Sequence, residues 1–126
     1  MAQAAVKVFE DTQRDALEMA VLDRNHLARM TFGDHSLERE ILQLFDRQSE
    51  LLLDRMRASE PAAIATLAHT LKGSAVGIGA TRVAHAAAEA EAVVQAKPDE
   101  SNRVIARLAQ TVEEARAEIA VLIRAH

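Results

Sequence analysis

The chain contains no cysteine among its 126 residues, and it also lacks tryptophan and tyrosine. Without cysteine it can form neither a disulfide nor a thiolate metal site, and it has no cysteine nucleophile. A chain that needs no disulfides suits a reducing compartment, so we expect the protein to be cytoplasmic. Its length is that of one domain, which can bury a sufficient core without such covalent help.

A strong excess of either charge is also absent. Fifteen Lys and Arg residues and nineteen Asp and Glu residues are interspersed along the chain and leave a formal net charge of −4. No basic block is present to neutralise a phosphate backbone, which argues against nucleic acid as a partner. No stretch approaches the roughly 20 apolar residues needed to cross a bilayer, so we expect no membrane association. The absence of a glycine-rich nucleotide loop excludes an autonomous kinase that uses ATP.

Helix-forming residues dominate the composition. Alanine makes up about a fifth of the chain, whereas there are only four glycines and two prolines. This composition predicts an all-α protein, and short connections between long amphipathic segments predict an up-down antiparallel four-helix bundle with an additional N-terminal helical segment. We expect residues 1–10 to form a flexible N-terminus and residues 11–126 to form a single helical domain.

Apolar residues recur at helical spacing along most of the chain. A segment from about Asp11 to Met30 precedes the bundle, and Phe32-Gly33-Asp34 separates it from the first long helix. The predicted bundle helices run from about Ser36 onward, from Pro61 to about Ile78, from Thr81 to just before Lys97-Pro98, and from about Glu100 to Arg124. The apolar side of the first long helix is predicted to carry Leu37, Ile41, Leu44, Phe45, Leu51, Leu52 and Met56.

His69 is predicted to lie on the exposed side of the second bundle helix. At about 100° per residue, one stripe of this helix is buried and consists of Ile64, Leu67, Leu71, Ala75 and Ile78. The opposite side, which carries His69, also carries Ala62, Ala65, Lys72, Gly73 and Val76. Because this side is poor in the long charged residues that normally cover a solvated helix face, we expect a partner to dock there.

Gly73 and Lys72 make the surroundings of His69 unusual. A glycine inside a helix costs about 1 kcal/mol relative to alanine, and this chain uses alanine freely elsewhere. Four residues after His69, Gly73 removes a side chain that would shade the imidazole ring. Lys72, three residues after His69, brings a mobile cation beside the same ring. Since a neutral imidazole has one ring nitrogen with a free lone pair near pH 7, His69 is a candidate nucleophile.

Glu91 is a candidate partner for the other ring nitrogen. If the second and third bundle helices pack antiparallel about a turn near Gly79 and Ala80, residues equally distant from the turn lie level, and Glu91 lies beside His69. A carboxylate that accepts the proton of one ring nitrogen would fix the tautomer and make the other nitrogen more basic. The alternative interpretation of Glu91 is a solvated surface acid.

Simpler interpretations exist for the remaining polar residues. His69 itself could be an ordinary surface histidine, but this leaves Lys72 and Gly73 unexplained. Ser74 has no adjacent base and is interpreted as a packing residue. Neither a His-Glu-x-x-His sequence nor a pair of Glu-x-x-His sequences occurs, so no metal site is expected. The other histidines are interpreted as solvent-facing or half-buried residues without a function, and they are His26, His35, His85 and His126.

The segment Ala68-His69-Thr70-Leu71-Lys72-Gly73-Ser74-Ala75, followed by Ile78-Gly79-Ala80, resembles the signature of histidine-containing phosphotransfer (HPt) domains. The family's Gly-Asp and Phe landmarks have similar counterparts in Phe32-Gly33-Asp34 and Leu44-Phe45. The resemblance extends from about Leu22 to Ala96, and it implies a four-helix bundle, often with an extra N-terminal helix.

The resemblance implies that His69 accepts a phosphoryl group from a receiver-domain aspartate or a kinase and passes it to a response regulator. Lys72 would lie beside the phosphoryl group, Gly73 would give access, and Glu91 would take the place where relatives carry Gln or Glu near the imidazole. The protein would then be a phosphocarrier rather than an enzyme.

The expected partners are receiver domains and a sensor histidine kinase, and the protein is expected to be a monomer. No cofactor of its own is expected, because magnesium would be bound only by the partner receiver domain. A non-catalytic helical adaptor that binds a partner through the same face is the alternative function. Such an adaptor would not need His69 together with Lys72 and Gly73.

Overall fold

The structure, a computed structural model, describes residues 19–125, and within this range it contains helices and no strand. The helices are α1 (Arg24–Met30), α2 (His35–Arg57), α3 (Pro61–Ile78), α4 (Thr81–Ala96) and α5 (Ser101–Ala125), with a 3₁₀ turn at Pro98–Glu100. The predicted all-α class is confirmed. The predicted flexible residues 1–10, and residues 11–18 of the predicted N-terminal segment, lie outside the described range, so the domain boundaries stay a prediction.

Helices α2 to α5 form the predicted four-helix bundle. Each packs against two others in a closed ring, α2 on α3, α3 on α4, α4 on α5 and α5 on α2. The α3–α4 pair has the most extensive contact, because small residues at its centre are fully or almost fully buried: Ala68, Ala75, Ala87 and Ala90. Among the helices of residues 19–125, none combines the length and apolar character needed to cross a bilayer.

Residues just before α1, together with His26 of α1, contact the turn between α3 and α4. Helix α3 ends at Ile78 and is followed by Gly79, which adopts a left-handed conformation with φ of 81°. The Asp23 backbone N–H donates to the Gly79 carbonyl oxygen at 2.8 Å, and the Thr81 hydroxyl donates to the Ala20 carbonyl oxygen at 2.5 Å. Nε2 of His26 lies 3.2 Å from the Gly77 carbonyl oxygen. These contacts hold the C-terminal end of α3 and therefore the level at which α4 returns beside it.

An ionic cluster joins the outer faces of α5 and α2. The guanidinium group of Arg116 contacts Asp46 at 2.7 Å, Glu50 at 3.3 Å and Glu113 at 3.2 Å. The hydrogen bond to Asp46, together with the charges of the three carboxylates, raises the pKa of Arg116 above its ordinary value, although desolvation opposes this. Because these groups are partly exposed, the cluster contributes only about 1 kcal/mol to stability.

The predicted buried side of α2 is wrong at two positions. Leu44 and Leu51 are exposed, whereas the residues of α2 that are buried are Leu42, Phe45, Ser49, Leu52, Leu53 and Met56. The reason is geometric, since the run Leu51-Leu52-Leu53 covers more of the helix circumference than one packed stripe can bury. Before α2, Met30 is also exposed, whereas Leu22 and Leu27 are buried.

Candidate functional site

His69 lies on the outward side of α3. The buried residues of this helix are Ile64, Ala65, Ala68, Leu71, Ala75 and Ile78, and they turn the opposite side of the helix towards solvent. The side chain of His69 is 64% exposed. It therefore contributes little to the core, and the imidazole ring is accessible to another molecule.

Glu91 of α4 contacts the His69 ring. Nδ1 of His69 lies 3.0 Å from Oε2 and 3.2 Å from Oε1 of Glu91, whose side chain is only 25% exposed. A carboxylate can only accept, so this contact favours the tautomer in which Nδ1 carries the proton and donates it to Glu91. Among residues 19–125, Nε2 of His69 has no hydrogen-bond partner. The arrangement leaves a lone pair on the ring nitrogen that is available to react.

Lys72 completes the charged part of the site. Its Nζ lies 3.8 Å from Oε2 of Glu91, so one carboxylate lies between the imidazole ring and the ammonium group. An ion pair this long at a partly exposed position is worth at most about 1 kcal/mol. Lys72 is therefore weakly held, and its flexible side chain can turn towards an anion bound at His69.

Gly73 leaves open space next to His69. A Cβ atom placed on Gly73 would have no heavy atom within 4 Å other than the helix's own neighbouring backbone. The glycine is thus not required by packing within the described part of the chain. Because Gly73 has no side chain, the helix surface one turn after His69 is left uncovered. Val76, which is 58% exposed, borders this uncovered area.

Four of the five other residues predicted to share the outward side of α3 do so, and one does not. Ala62, Gly73 and Val76 are exposed and Lys72 is partly exposed, but Ala65 is only 5% exposed. Ala65 lies on the same side of the helix as Lys72 and Ala68, where α4 packs against α3. The prediction that Ala65 contributes to an exposed docking surface is therefore wrong.

Helix α2 adds apolar residues that sequence analysis did not assign to this surface. Leu44 and Leu51 are exposed, and Gln48, which shares their side of α2, accepts a hydrogen bond from the Ser74 hydroxyl of α3 at 3.2 Å. The Gln48–Ser74 contact shows that this side of α2 adjoins α3. The spacing of four and three residues around Gln48 is the sequence signal that could have identified the pair.

A cavity of about 930 Å³ lies beside the site. It opens to solvent between residues 19–26, the end of α3 and the start of α4. Its lining includes Val76 and Ala84, together with the cationic Lys72. Two histidines that sequence analysis left without a function, His26 and His85, also line it. Lys72 and Val76 therefore belong both to this cavity and to the surface around His69. No cluster of three or more metal-ligating side chains occurs in residues 19–125.

A comparison with protein families matches residues 36–118 to the Hpt domain, and the chain belongs to that family. The match covers all but the first residue of α2, all of α3 and α4 and most of α5, and it includes His69, Lys72, Gly73 and Glu91. Neither the curated proteins nor the solved structures gave a match. Hpt domains carry out histidine phosphotransfer in phosphorelays, as phosphocarriers that interact with receiver domains and histidine kinases.

Proposed function

We propose that His69 is the phosphoacceptor of a two-component phosphorelay and that it passes the phosphoryl group from one signalling protein to another. The observation that carries this proposal is the exposed imidazole, whose Nδ1 contacts Glu91 while its Nε2 has no hydrogen-bond partner among residues 19–125. The donor would be a receiver-domain aspartyl phosphate or a histidine kinase, and the acceptor would be a response regulator.

In the transfer, the lone pair of Nε2 forms a bond to phosphorus as the bond between phosphorus and the donor's aspartate oxygen breaks. The electron pair of that bond stays on the aspartate, which leaves as a carboxylate. Lys72 would neutralise part of the phosphoryl charge, and Glu91 would orient the ring. We propose that this chain needs no cofactor and that the magnesium ion belongs to the partner receiver domain.

We further propose a docking surface centred on His69. Its residues on α3 would be Ala62, His69, Lys72, Gly73 and Val76, joined by Leu44 and Leu51 of α2. Weakly apolar patches of this kind suit transient signalling contacts, which bury little area. The protein would act as a cytoplasmic monomer, since one chain carries every residue that the transfer requires of it.

The proposal is tested by incubating the protein with a phosphorylated receiver domain or kinase and measuring the label it acquires. The label should survive alkali and be lost in acid, as expected of a phosphoramidate. His69→Gln should abolish labelling while helical content and stability stay close to those of the parent, because the ring is exposed. His85→Gln, a histidine of α4 outside the proposed site, is the matched control and should be labelled normally. Labelling that survives in His69→Gln would refute the assignment, and receiver binding without any labelling would favour the adaptor.

A further inference from the structure

The cavity beside His69 combines apolar walls with cationic edges. Its apolar lining includes Leu22 and Ala84, and its volume of about 930 Å³ is that of a pocket able to enclose several apolar groups. The cationic side chains in the lining are Arg24 and Lys72. The cavity therefore suits an occupant that carries both apolar side chains and negative charge.

The charges in the lining are not balanced within the cavity. The side chain of Arg24 is exposed and forms no ion pair with another residue in the range 19–125. Lys72 is held only by its 3.8 Å contact with Glu91. Among the described lining residues the one carboxylate is that of Asp23, and it already accepts a hydrogen bond from the His26 backbone N–H at 3.0 Å. A negatively charged occupant would thus be attracted to this opening.

The chain itself contains a segment with this chemistry. Residues 6–11 have the sequence Val-Lys-Val-Phe-Glu-Asp, so three apolar side chains are followed by two acidic ones. Met19, ten residues after Phe9, lines the cavity, so the chain reaches its edge shortly after this segment. An extended connection of that length spans about 33 Å, which leaves enough slack for the segment to return to the cavity.

We propose that residues 6–11 dock in this cavity, with Phe9 as the apolar anchor, and that they compete there with a receiver approaching His69. This inference rests on the proposed function of His69. The acidic Glu10 and Asp11 face the cationic edge of the cavity, and the N-terminal segment regulates access to the phosphoacceptor.

The competition follows from two shared residues. Lys72 and Val76 line the cavity and also belong to the proposed docking surface around His69. When residues 6–11 occupy the cavity, these two side chains are covered on one side and less of the docking surface is left for a receiver. The nearby carboxylates of the segment also attract the ammonium group of Lys72 away from a phosphoryl group.

The covalent connection allows a weak contact to suffice. Through a short flexible connection, the effective concentration of a segment at its own site is on the order of 1 mM. A segment with an intrinsic dissociation constant of about that size occupies the cavity about half of the time. A receiver that requires the open cavity then binds about twofold more weakly than it would to a permanently open form. Docking this weak is readily reversible and agrees with the flexible N-terminus predicted from the sequence.

A spin label tests the docking in the full-length chain. Because the chain has no cysteine, Ala4→Cys can be labelled with a nitroxide at that position alone. We expect the amide resonances of Val76 and Ala84 to be broadened by the label, and the broadening to fall at least twofold when Phe9→Ala is added. Phe32→Ala is the matched control, since Phe32 is 92% exposed and does not line the cavity, and it should leave the broadening unchanged.

Arg24 tests the contribution of charge. Arg24→Gln removes a cation from the lining, so it should reduce the broadening. Arg29→Gln removes a cation from the same helix α1 outside the lining and should have no such effect.

Receiver binding tests the competition. Titration calorimetry without the spin label should show that Phe9→Ala binds a receiver domain about twofold more tightly than the parent, whereas Phe32→Ala binds it equally. Equal binding by Phe9→Ala and the parent would refute the competition even if the segment docks.

Other occupants of the cavity give different results. If broadening at Val76 and Ala84 is the same with and without Phe9→Ala, the segment is not anchored in the cavity and the inference is wrong. If the broadening appears only between a spin-labelled molecule and a separate ¹⁵N-labelled one, a second copy is the occupant and the intramolecular contact is refuted. The spin-label result does not depend on phosphorylation. Failure of a phosphorylated receiver to label His69 would instead refute the proposed function, and with it the regulation.

Discussion

Gly79 and Asp23 meet backbone to backbone at the end of the helix that carries His69. The Asp23 N–H donates to the Gly79 carbonyl oxygen, and a Cβ atom on Gly79 would lie 2.9 Å from the Asp23 carbonyl oxygen. Gly79 also has a φ of 81°, which an L side chain rarely adopts. We expect Gly79→Ala to lower the free energy of unfolding by about 2 kcal/mol, measured by urea denaturation.

Gly77→Ala is the control for this prediction. Gly77 lies inside α3, and within the described part of the chain a Cβ atom placed on it would meet no heavy atom within 4 Å other than the helix's own neighbouring backbone. Alanine should therefore raise the free energy of unfolding by up to about 1 kcal/mol through helix propensity. Equal losses at both positions would contradict the close approach of Gly79 to Asp23.

Phe32 occupies a position that normally requires glycine. It follows the end of α1 with a φ of 55° while its side chain is 92% exposed, and the Gly33 N–H donates to the Ala28 carbonyl oxygen at 2.9 Å. This is the hydrogen bond of a Schellman motif, with the bulky residue at the left-handed position. Because no packing is lost, we expect Phe32→Gly to raise the free energy of unfolding by about 1 kcal/mol.

Phe32→Ala distinguishes backbone strain from the loss of an exposed aromatic ring. Alanine keeps the penalty for a positive φ but removes the ring, so we expect no comparable gain in urea denaturation. If Phe32→Ala stabilised the protein as much as Phe32→Gly, relief of strain could not be the explanation.

Much of the fold could be predicted from the sequence because local signals agree with the packing. Pro61 begins α3 and Gly79 ends it, and alanine-rich stripes indicate how closely α3 and α4 approach. Leu44 and Leu51 were wrongly predicted to be buried, because the sequence alone does not show whether an apolar residue lies in the core or on an exposed apolar surface. Only the orientation of α2 against α3 and α5 decides which apolar side is covered.

The site, like the fold, could be predicted from the sequence only in part. The contact of Glu91 with His69 followed from the position of one turn, since a short connection forces two helices to return side by side. The burial of Ala65 could not be predicted in this way. A helical wheel places Ala65 close to His69, but it does not show which flank of α3 is covered by α4. The roles of His69, Lys72, Gly73 and Glu91 in phosphotransfer stay predictions.

Access to the imidazole can be tested at Gly73. Because a Cβ atom there meets open space, Gly73→Ala and Gly73→Gln should each raise the free energy of unfolding by about 0.5 to 1 kcal/mol. Phosphoryl transfer from a receiver should fall slightly with alanine and strongly with glutamine, because the longer side chain obstructs the approach to His69. Urea denaturation and the initial rate of labelling measure the two effects. If Gly73→Gln transferred the phosphoryl group at the rate of the parent, Gly73 would not be needed to keep His69 accessible to the receiver.

The proposed docking surface can be tested with two valines of similar exposure. Val76 on α3 is 58% exposed and borders Gly73, while Val121 on α5 is 52% exposed and lies outside the proposed surface. Val76→Glu should weaken receiver binding about tenfold or more, because it removes apolar contact and places a charge where it must be desolvated. Val121→Glu introduces the same charge and should leave the dissociation constant unchanged. Isothermal titration calorimetry measures both, and unfolding measurements should show little difference between the variants.

Leu51 extends the test to α2, because its exposed side chain belongs to the surface only if the partner contacts both helices. Leu51→Glu should therefore weaken receiver binding in the same direction as Val76→Glu, while α2 stays folded since neither buried neighbour is changed. Titration of a receiver into ¹⁵N-labelled protein locates the contact directly. Resonance shifts should centre on α3 around Gly73 and on the exposed side of α2. Shifts confined to α5 around Val121 would place the partner on the opposite surface and refute the assignment.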